Sequence, residues 1–337
     1  MQHSAATTSL TPDATPDLEP AASPHDLTTA AAVRPGVVRS LVETTKPGIT
    51  KLVTITSFVG FVMSSASHPW SGLTLATAAL GVVTGTALAA AGANAINQYM
   101  ERERDARMPR TVGRPLPQQR VTPGQVLLTG VSLGVAGCLV LWLLNGLVPS
   151  LIALACIVSY IAFYTPMKTR TAMATFVGAI PGALPPLIGW AAGSTSMGWD
   201  SLLEWGGISL FALMFVWQIP HFLAIAWMYK DDYAKGGYLV LPVVDQGGTW
   251  TAATIALWTV TLVPATLMPA IVMPDRLGTA YLSVATLSGI AFLLLAAKLV
   301  IGRTRSDARV VFFASIIHLP LILLVMVAET IVGLMVG

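Results

Sequence analysis

Residues 72–115 read GLTLATAALGVVTGTALAAAGANAINQYMERERDARMPRTVGRP, and this stretch decides the fold. Positions 72–99 carry no charge at all, and five arginines with three acids follow before Pro115. An apolar run of about 20 residues is long enough to cross a hydrocarbon core. Lipid offers no partner to backbone N–H and C=O groups, so a run of this kind is a helix. The charged segment marks where the chain leaves the bilayer. Working outward, the same alternation of apolar run and polar break recurs along the chain. It predicts spans at about 50–67, 72–99, 124–145, 147–165, 172–194, 203–228, 250–273, 277–301 and 310–336. The last is expected to be the least regular, because Pro320 interrupts it and Glu329 lies near its end.

Composition agrees. Of 337 residues, 54% are hydrophobic and 10% charged, against roughly 25% charged in soluble domains. The mean hydropathy is +0.71. The short alternating segments of a membrane β-barrel are absent from the sequence. The fold class is therefore all-α, a polytopic transmembrane bundle of nine spans in contact with the lipid bilayer. A net charge of +3 gives no reason to expect a nucleic-acid partner. Cys138 and Cys156 both fall in apolar runs and read as small core residues.

Positive charge sets the orientation, since loops facing the cytoplasm collect Lys and Arg. With the N-terminus inside, every Lys and Arg except Arg276 falls on the cytoplasmic side. The expectation is N-in and C-out. The two long polar loops, about 100–123 and 229–249, follow spans 2 and 6, which predicts two four-helix pseudo-repeats plus a ninth helix. Residues 1–39, rich in Ala, Thr, Pro and Asp, are expected to form a disordered tail, and 40–337 the membrane domain. The tail resembles neither a signal peptide nor a transit peptide. A bacterial inner membrane is the simplest location.

Two clusters at the cytoplasmic ends of spans 2 and 6 carry the chemistry. Asn97, Glu101 and Asp105 recur every fourth residue, which places three oxygen-bearing side chains on one helix face. Asn94 lies one turn before them. Magnesium prefers hard oxygen ligands, a few carboxylates together with substrate phosphates. Arg104, Arg110 and Arg114 follow, with guanidinium forks that suit phosphate oxygens. The second cluster is Tyr229-Lys230-Asp231-Asp232-Tyr233, whose adjacent carboxylates repel unless a cation compensates them. The same patterns also suit ordinary ion pairs at a helix end and a solvated loop. Their shared membrane face and equivalent position in the two halves favour one diphosphate site. It would hold Mg²⁺ on Asn97, Glu101, Asp105, Asp231 and Asp232, with Lys230 as a further phosphate contact. Between the clusters, Tyr164 and Lys168 end span 4, and Lys168 can meet phosphate as a point charge.

Together with Thr45-Lys46-Pro47-Gly48, Gly182-Ala183-Leu184-Pro185-Pro186 through Trp190, Pro220-His221-Phe222 and Leu241-Pro242-Val243-Val244, these segments resemble the haem-farnesylating branch of the intramembrane prenyltransferases. The resemblance spans about 40–337. It implies transfer of a farnesyl group from farnesyl diphosphate to a vinyl group of haem B, giving haem O. It implies Mg²⁺ as cofactor, with Asp105, Asp231, Asp232 and Lys168 as catalytic residues and an active site open to the cytoplasm. Haem A synthase and terminal-oxidase assembly are the partners it implies. Glu101 departs from the Asp frequent in the superfamily, and His318 from a frequent Tyr. Tyr160, Tyr164, Trp190 and Trp217 are expected to line an apolar pocket for the reacting prenyl group. His221, roughly 15 Å deeper than Asp231 at 1.5 Å per helical residue, is expected either to contact the macrocycle or to bond a neighbouring helix. A prenyltransferase for an aromatic acid such as 4-hydroxybenzoate is the alternative enzyme. A secondary transporter fits less well, because charge is nearly absent from the span centres.

Overall fold

The computed structural model describes residues 36–66, 70–194 and 198–336. Among these residues, nine helices are long and apolar enough to cross a membrane. Helix α1 (Val37–Thr44) precedes them, and α2 is Pro47–Ser65, α3 Gly72–Asp105 and α4 Pro123–Asn145. The fourth crossing is compound: α5 (Leu147–Val158) passes through a π-helical turn (Ser159–Tyr164) into α6 (Thr165–Met167). The fifth divides at Leu184 into α7 (Ala174–Ala183) and α8 (Pro185–Gly193). Then come α9 (Trp205–Met228), two short helices α10 (Lys230–Lys235) and α11 (Leu241–Val244), and the long α12 (Thr249–Val272), α13 (Thr279–Gly302) and α14 (Arg305–Val336). The expected tail lies outside the described residues as far as position 35, and its expected end at 39 falls inside α1.

One expectation fails. Pro320 does not interrupt the last span, because α14 runs through it unbroken, as α9 runs through Pro220. Within a bundle, neighbouring helices and small backbone adjustments offset the hydrogen bond that proline removes.

Small residues let the helices approach. In α3 and α4 a Cβ at Gly92 would strike the Gly134 backbone, and one at Gly137 would strike Ala89. A Cβ at Gly189 of α8 would strike the Ser57 carbonyl of α2. With lipid on the outside there is no hydrophobic drive between helices, so close van der Waals packing of this kind holds them together. The core is largest where α9 meets α12, α13 and α14, around Leu213, Trp217, Ile255, Tyr281 and Phe292.

The length of α3 positions the site. Its 34 residues extend roughly 50 Å at 1.5 Å per residue, against about 30 Å of hydrocarbon. Its last turns therefore project past the apolar slab, carrying Asn97, Glu101 and Asp105 to the water boundary.

Candidate active site

The fourfold spacing on α3 does what helical geometry requires. Asn97, Glu101 and Asp105 share one face and are all buried, at 0%, 6% and 1% exposure. Each is met by a cation from a different part of the chain. Lys46 Nζ donates to Asn97 Oδ1 at 2.8 Å. Lys168 Nζ pairs with Glu101 Oε1. Arg114 Nη1 pairs with Asp105 Oδ2 at 2.6 Å. The other Asp105 oxygen, Oδ1, is buried and has no hydrogen-bond partner. A buried polar atom left unpaired costs about 1–3 kcal/mol, more when charged, and a hard cation is the kind of partner that would suit this oxygen.

The electrostatics are tightly coupled. Burial by itself would lower Lys168, but the Glu101 carboxylate and the tyrosine rings around it outweigh burial and hold it well above the usual lysine range. Burial, then the neighbouring Arg114, pushes Lys46 down to about 7. Lys46 also has a left-handed backbone, φ 49° and ψ 68°, a strain of order 1–3 kcal/mol for a non-glycine residue. Pro47 starts α2 directly after it, so that strain fixes the position from which the ammonium reaches Asn97.

The second polar loop folds over this face. Arg104 Nη1 donates to the Gly236 carbonyl at 3.1 Å, and its guanidinium lies 5.8 Å from the Tyr238 ring. Arg110 sits over Tyr229 and Tyr233, at 4.8 and 5.0 Å. Although burial opposes it, Tyr233, Tyr229 and Asp232 raise the pKa of Arg110. The Leu239 N–H donates to the Lys168 carbonyl at 2.8 Å. Lys168 Nζ also lies 4.7 Å from the Tyr164 ring and 5.4 Å from Tyr238. Asp231 and Lys230 are exposed and Asp232 half-buried, all at the start of α10. Neither carboxylate joins an ion pair among the described residues. Among the described residues no three of His, Cys, Asp and Glu gather into one metal cluster; the end of α3 supplies Glu101 and Asp105, and the start of α10 supplies Asp231 and Asp232.

Below the charged layer, Asn94 is buried and donates to Thr50 Oγ1 at 3.2 Å. Asn97 Nδ2 donates to Thr165 Oγ1 at 3.1 Å, just past the π turn. There Tyr160 and Tyr164 stack with centroids 5.5 Å apart. Single π turns recur at functional sites.

Trp190 is a correction to the expected pocket. Its Nε1 donates to Glu204 Oε2 at 2.8 Å, which places it at the other end of the bundle, packed under Gly206. A cavity of about 570 Å³ at that end, lined by Asp275, Arg276, Glu329 and apolar residues, is likewise remote from the acids of α3 and α10. His221 faces α14, with its Nδ1 2.7 Å from Ser315 Oγ. Lys46, Thr165, Thr50 and Tyr238 belong to the site but were not assigned to it from sequence. Lys46 carried a signal in the Lys-Pro-Gly turn; the other three carried none.

The UbiA prenyltransferase family profile matches residues 53–317. The chain belongs to that family. The protoheme IX farnesyltransferase of Solibacter usitatus is 41% identical over 291 residues, covering 85% of this chain and 96% of the relative. The protoheme IX farnesyltransferase of Opitutus terrae is 37% identical, covering 83% and 91%. Among solved structures, a digeranylgeranylglyceryl phosphate synthase superposes with a TM-score of 0.70 at 18% identity, covering 88% of this chain and 99% of that one. A UbiA homologue from Archaeoglobus fulgidus bound to DMAPP and Mg²⁺ superposes with a TM-score of 0.60 at 15% identity, covering 88% and 100%. This UbiA family member is thus a multi-pass membrane protein with a prenyltransferase fold.

Proposed function

We propose that this chain transfers the farnesyl group of farnesyl diphosphate to a vinyl group of protohaem IX, adding water and releasing diphosphate, to give haem O. The observation that carries the reading is its nearly full-length likeness to protoheme IX farnesyltransferases, 41% identical over 85% of the chain in one case. The site geometry fits that chemistry. Departure of diphosphate concentrates negative charge, and charged groups already aimed at that charge lower the barrier. Lys46, Lys168 and Arg114 surround the α3 oxygen face, and Arg110 lies over the tyrosines beside Asp232. Asn97, Glu101 and Asp105 on one side, with Asp231 and Asp232 on the other, are the residues that would hold Mg²⁺; the unpaired Asp105 oxygen fits such a cation. When bound, the ion neutralises charge developing on the leaving group. Arg104, Lys230 and Asn94 complete the substrate contacts. The stacked Tyr160 and Tyr164 rings offer π faces to an allylic cation.

Residues 40–337 form the catalytic domain, preceded by the polar tail. The enzyme sits in a bacterial inner membrane, N-in and C-out, with the acid face open to the cytoplasm and two four-helix pseudo-repeats before the ninth helix. Its apolar product passes through the membrane to haem A synthase and terminal-oxidase assembly.

The test of function offers purified protein farnesyl diphosphate with protohaem IX or with 4-hydroxybenzoate. Farnesylated haem should form, EDTA should abolish it, and added Mg²⁺ should restore it. Turnover of 4-hydroxybenzoate alone would reject the haem reading, and full activity in chelator would reject the metal. Orientation has its own test. Reporter fusions after residues 146 and 275 should read as periplasmic, and fusions after 115 and 240 as cytoplasmic; the opposite pattern would invert the topology.

A further inference from the structure

We propose that Ser315 is a positioning residue that holds His221 with its Nε2 lone pair directed at the acceptor's iron, an inference that rests on the protohaem reading above. Two hydrogen bonds between α9 and α14 converge on this serine. Trp217 Nε1 donates to its backbone carbonyl at 2.9 Å, and its Oγ lies 2.7 Å from His221 Nδ1. The same Oγ lies 2.6 Å from the Phe312 carbonyl. Each of these two contacts needs a hydrogen between its heavy atoms, and a hydroxyl has only one to give. The carbonyl has none, so the hydroxyl donates to Phe312 and accepts from Nδ1–H of the imidazole.

That assignment fixes the other nitrogen. Nε2 makes no hydrogen bond among the described residues, and a protonated Nε2 at this depth would be a donor without an acceptor. The ring is therefore neutral, with hydrogen on Nδ1 and a lone pair on Nε2. Its plane is fixed as well. Trp217 stacks on it at 4.6 Å and 19°, while Phe222 and Phe312 each lie 5.4 Å away. His221 is only half-buried and stands eight residues before Tyr229, the residue that caps α9, about 12 Å below it at 1.5 Å per residue. A flat apolar acceptor would lie at this depth beneath the charged layer.

His318 shows the contrast. It is 2% exposed, its Nε2 meets Thr266 Oγ1 at 3.3 Å, and Phe292 packs 5.7 Å from its ring. His318 is enclosed, whereas His221 is only half-buried. An imidazole that ligates iron typically donates its second N–H to an oxygen, and loss of that oxygen costs 10–100-fold in affinity or activity.

The experiment titrates ferric protohaem IX, and metal-free protoporphyrin IX as control, into the purified full chain while following absorbance. Ser315→Ala should weaken ferric protohaem binding by 10–100-fold and shift its Soret band, with protoporphyrin binding and the KM for farnesyl diphosphate unchanged. Ser315→Thr, which keeps the hydroxyl, should restore the wild-type spectrum. His221→Ala should lose the shift and regain it with added imidazole. Equal losses for both macrocycles would mean packing alone and overturn the proposal, as would unchanged haem binding in Ser315→Ala or in His221→Ala. A wild-type chain that farnesylates protohaem in that setting leaves the function standing and removes only this inference. A wild-type chain that neither binds nor farnesylates protohaem removes both.

Discussion

Asp105→Ala should cut turnover by at least about a hundredfold, the scale of removing one electrostatic stabiliser of a transition state, while leaving the protein folded. The second half follows from the surroundings of its partner. Arg114 pairs with Asp105 Oδ2, yet its own side chain is 27% exposed, so water can solvate the guanidinium once the carboxylate has gone. Burial of the acid already leaves Oδ1 without a hydrogen bond, so removing it relieves one cost as it creates another. The melting temperature should therefore move far less than kcat. Asp231→Ala and Asp232→Ala extend the comparison to the second loop. Neither carboxylate is in an ion pair among the described residues, and Asp231 is exposed. Such substitutions ordinarily change stability by no more than about 0.5 kcal/mol, so their effect should fall on turnover alone. Full activity in both variants would confine the diphosphate site to α3.

The spans were legible because lipid imposes a length and a composition that nothing else imposes. The α3 face was legible because a repeat of four is a property of one helix, and α3 carries it unbroken from Asn97 to Asp105. What was not legible joins distant parts of the chain. Lys46 meets Asn97 across 51 positions, and His221 meets Ser315 across 94. No local pattern records such pairings. Trp190 was misplaced for a related reason, since an aromatic residue on an apolar helix says nothing about which neighbour fills the space beside it; Glu204 and Gly206 decide that. Pro320 was misread through a rule learned from water, where a broken helix can hydrate its free carbonyl. The π turn at Ser159–Tyr164 adds one residue to a helical turn and leaves no mark in composition.

Lys168→Ala should be the most destabilising single change in the site. Lys168 and Glu101 are an ion pair with side-chain exposures of 11% and 7%. Removing one partner from a buried pair costs about 3–5 kcal/mol, because the other charge is left in a poor solvent. Asn97 and Tyr238 nearby cannot supply a positive charge, and Lys46 is already bonded to Asn97. A large fall in melting temperature is thus expected together with loss of activity, which by itself would not separate structure from catalysis. The double variant Glu101→Gln with Lys168→Met separates them. It removes both charges at similar volume, and replacing a buried pair in this way is often neutral or stabilising. Its melting temperature should return close to that of the wild type. Turnover should stay at least about a hundredfold down, since a phosphate contact and an oxygen ligand are both missing. If the double variant regains activity along with stability, the pair is a structural clamp between α3 and the end of the fourth crossing, and diphosphate is held by Lys46, Arg110 and Arg114 without it.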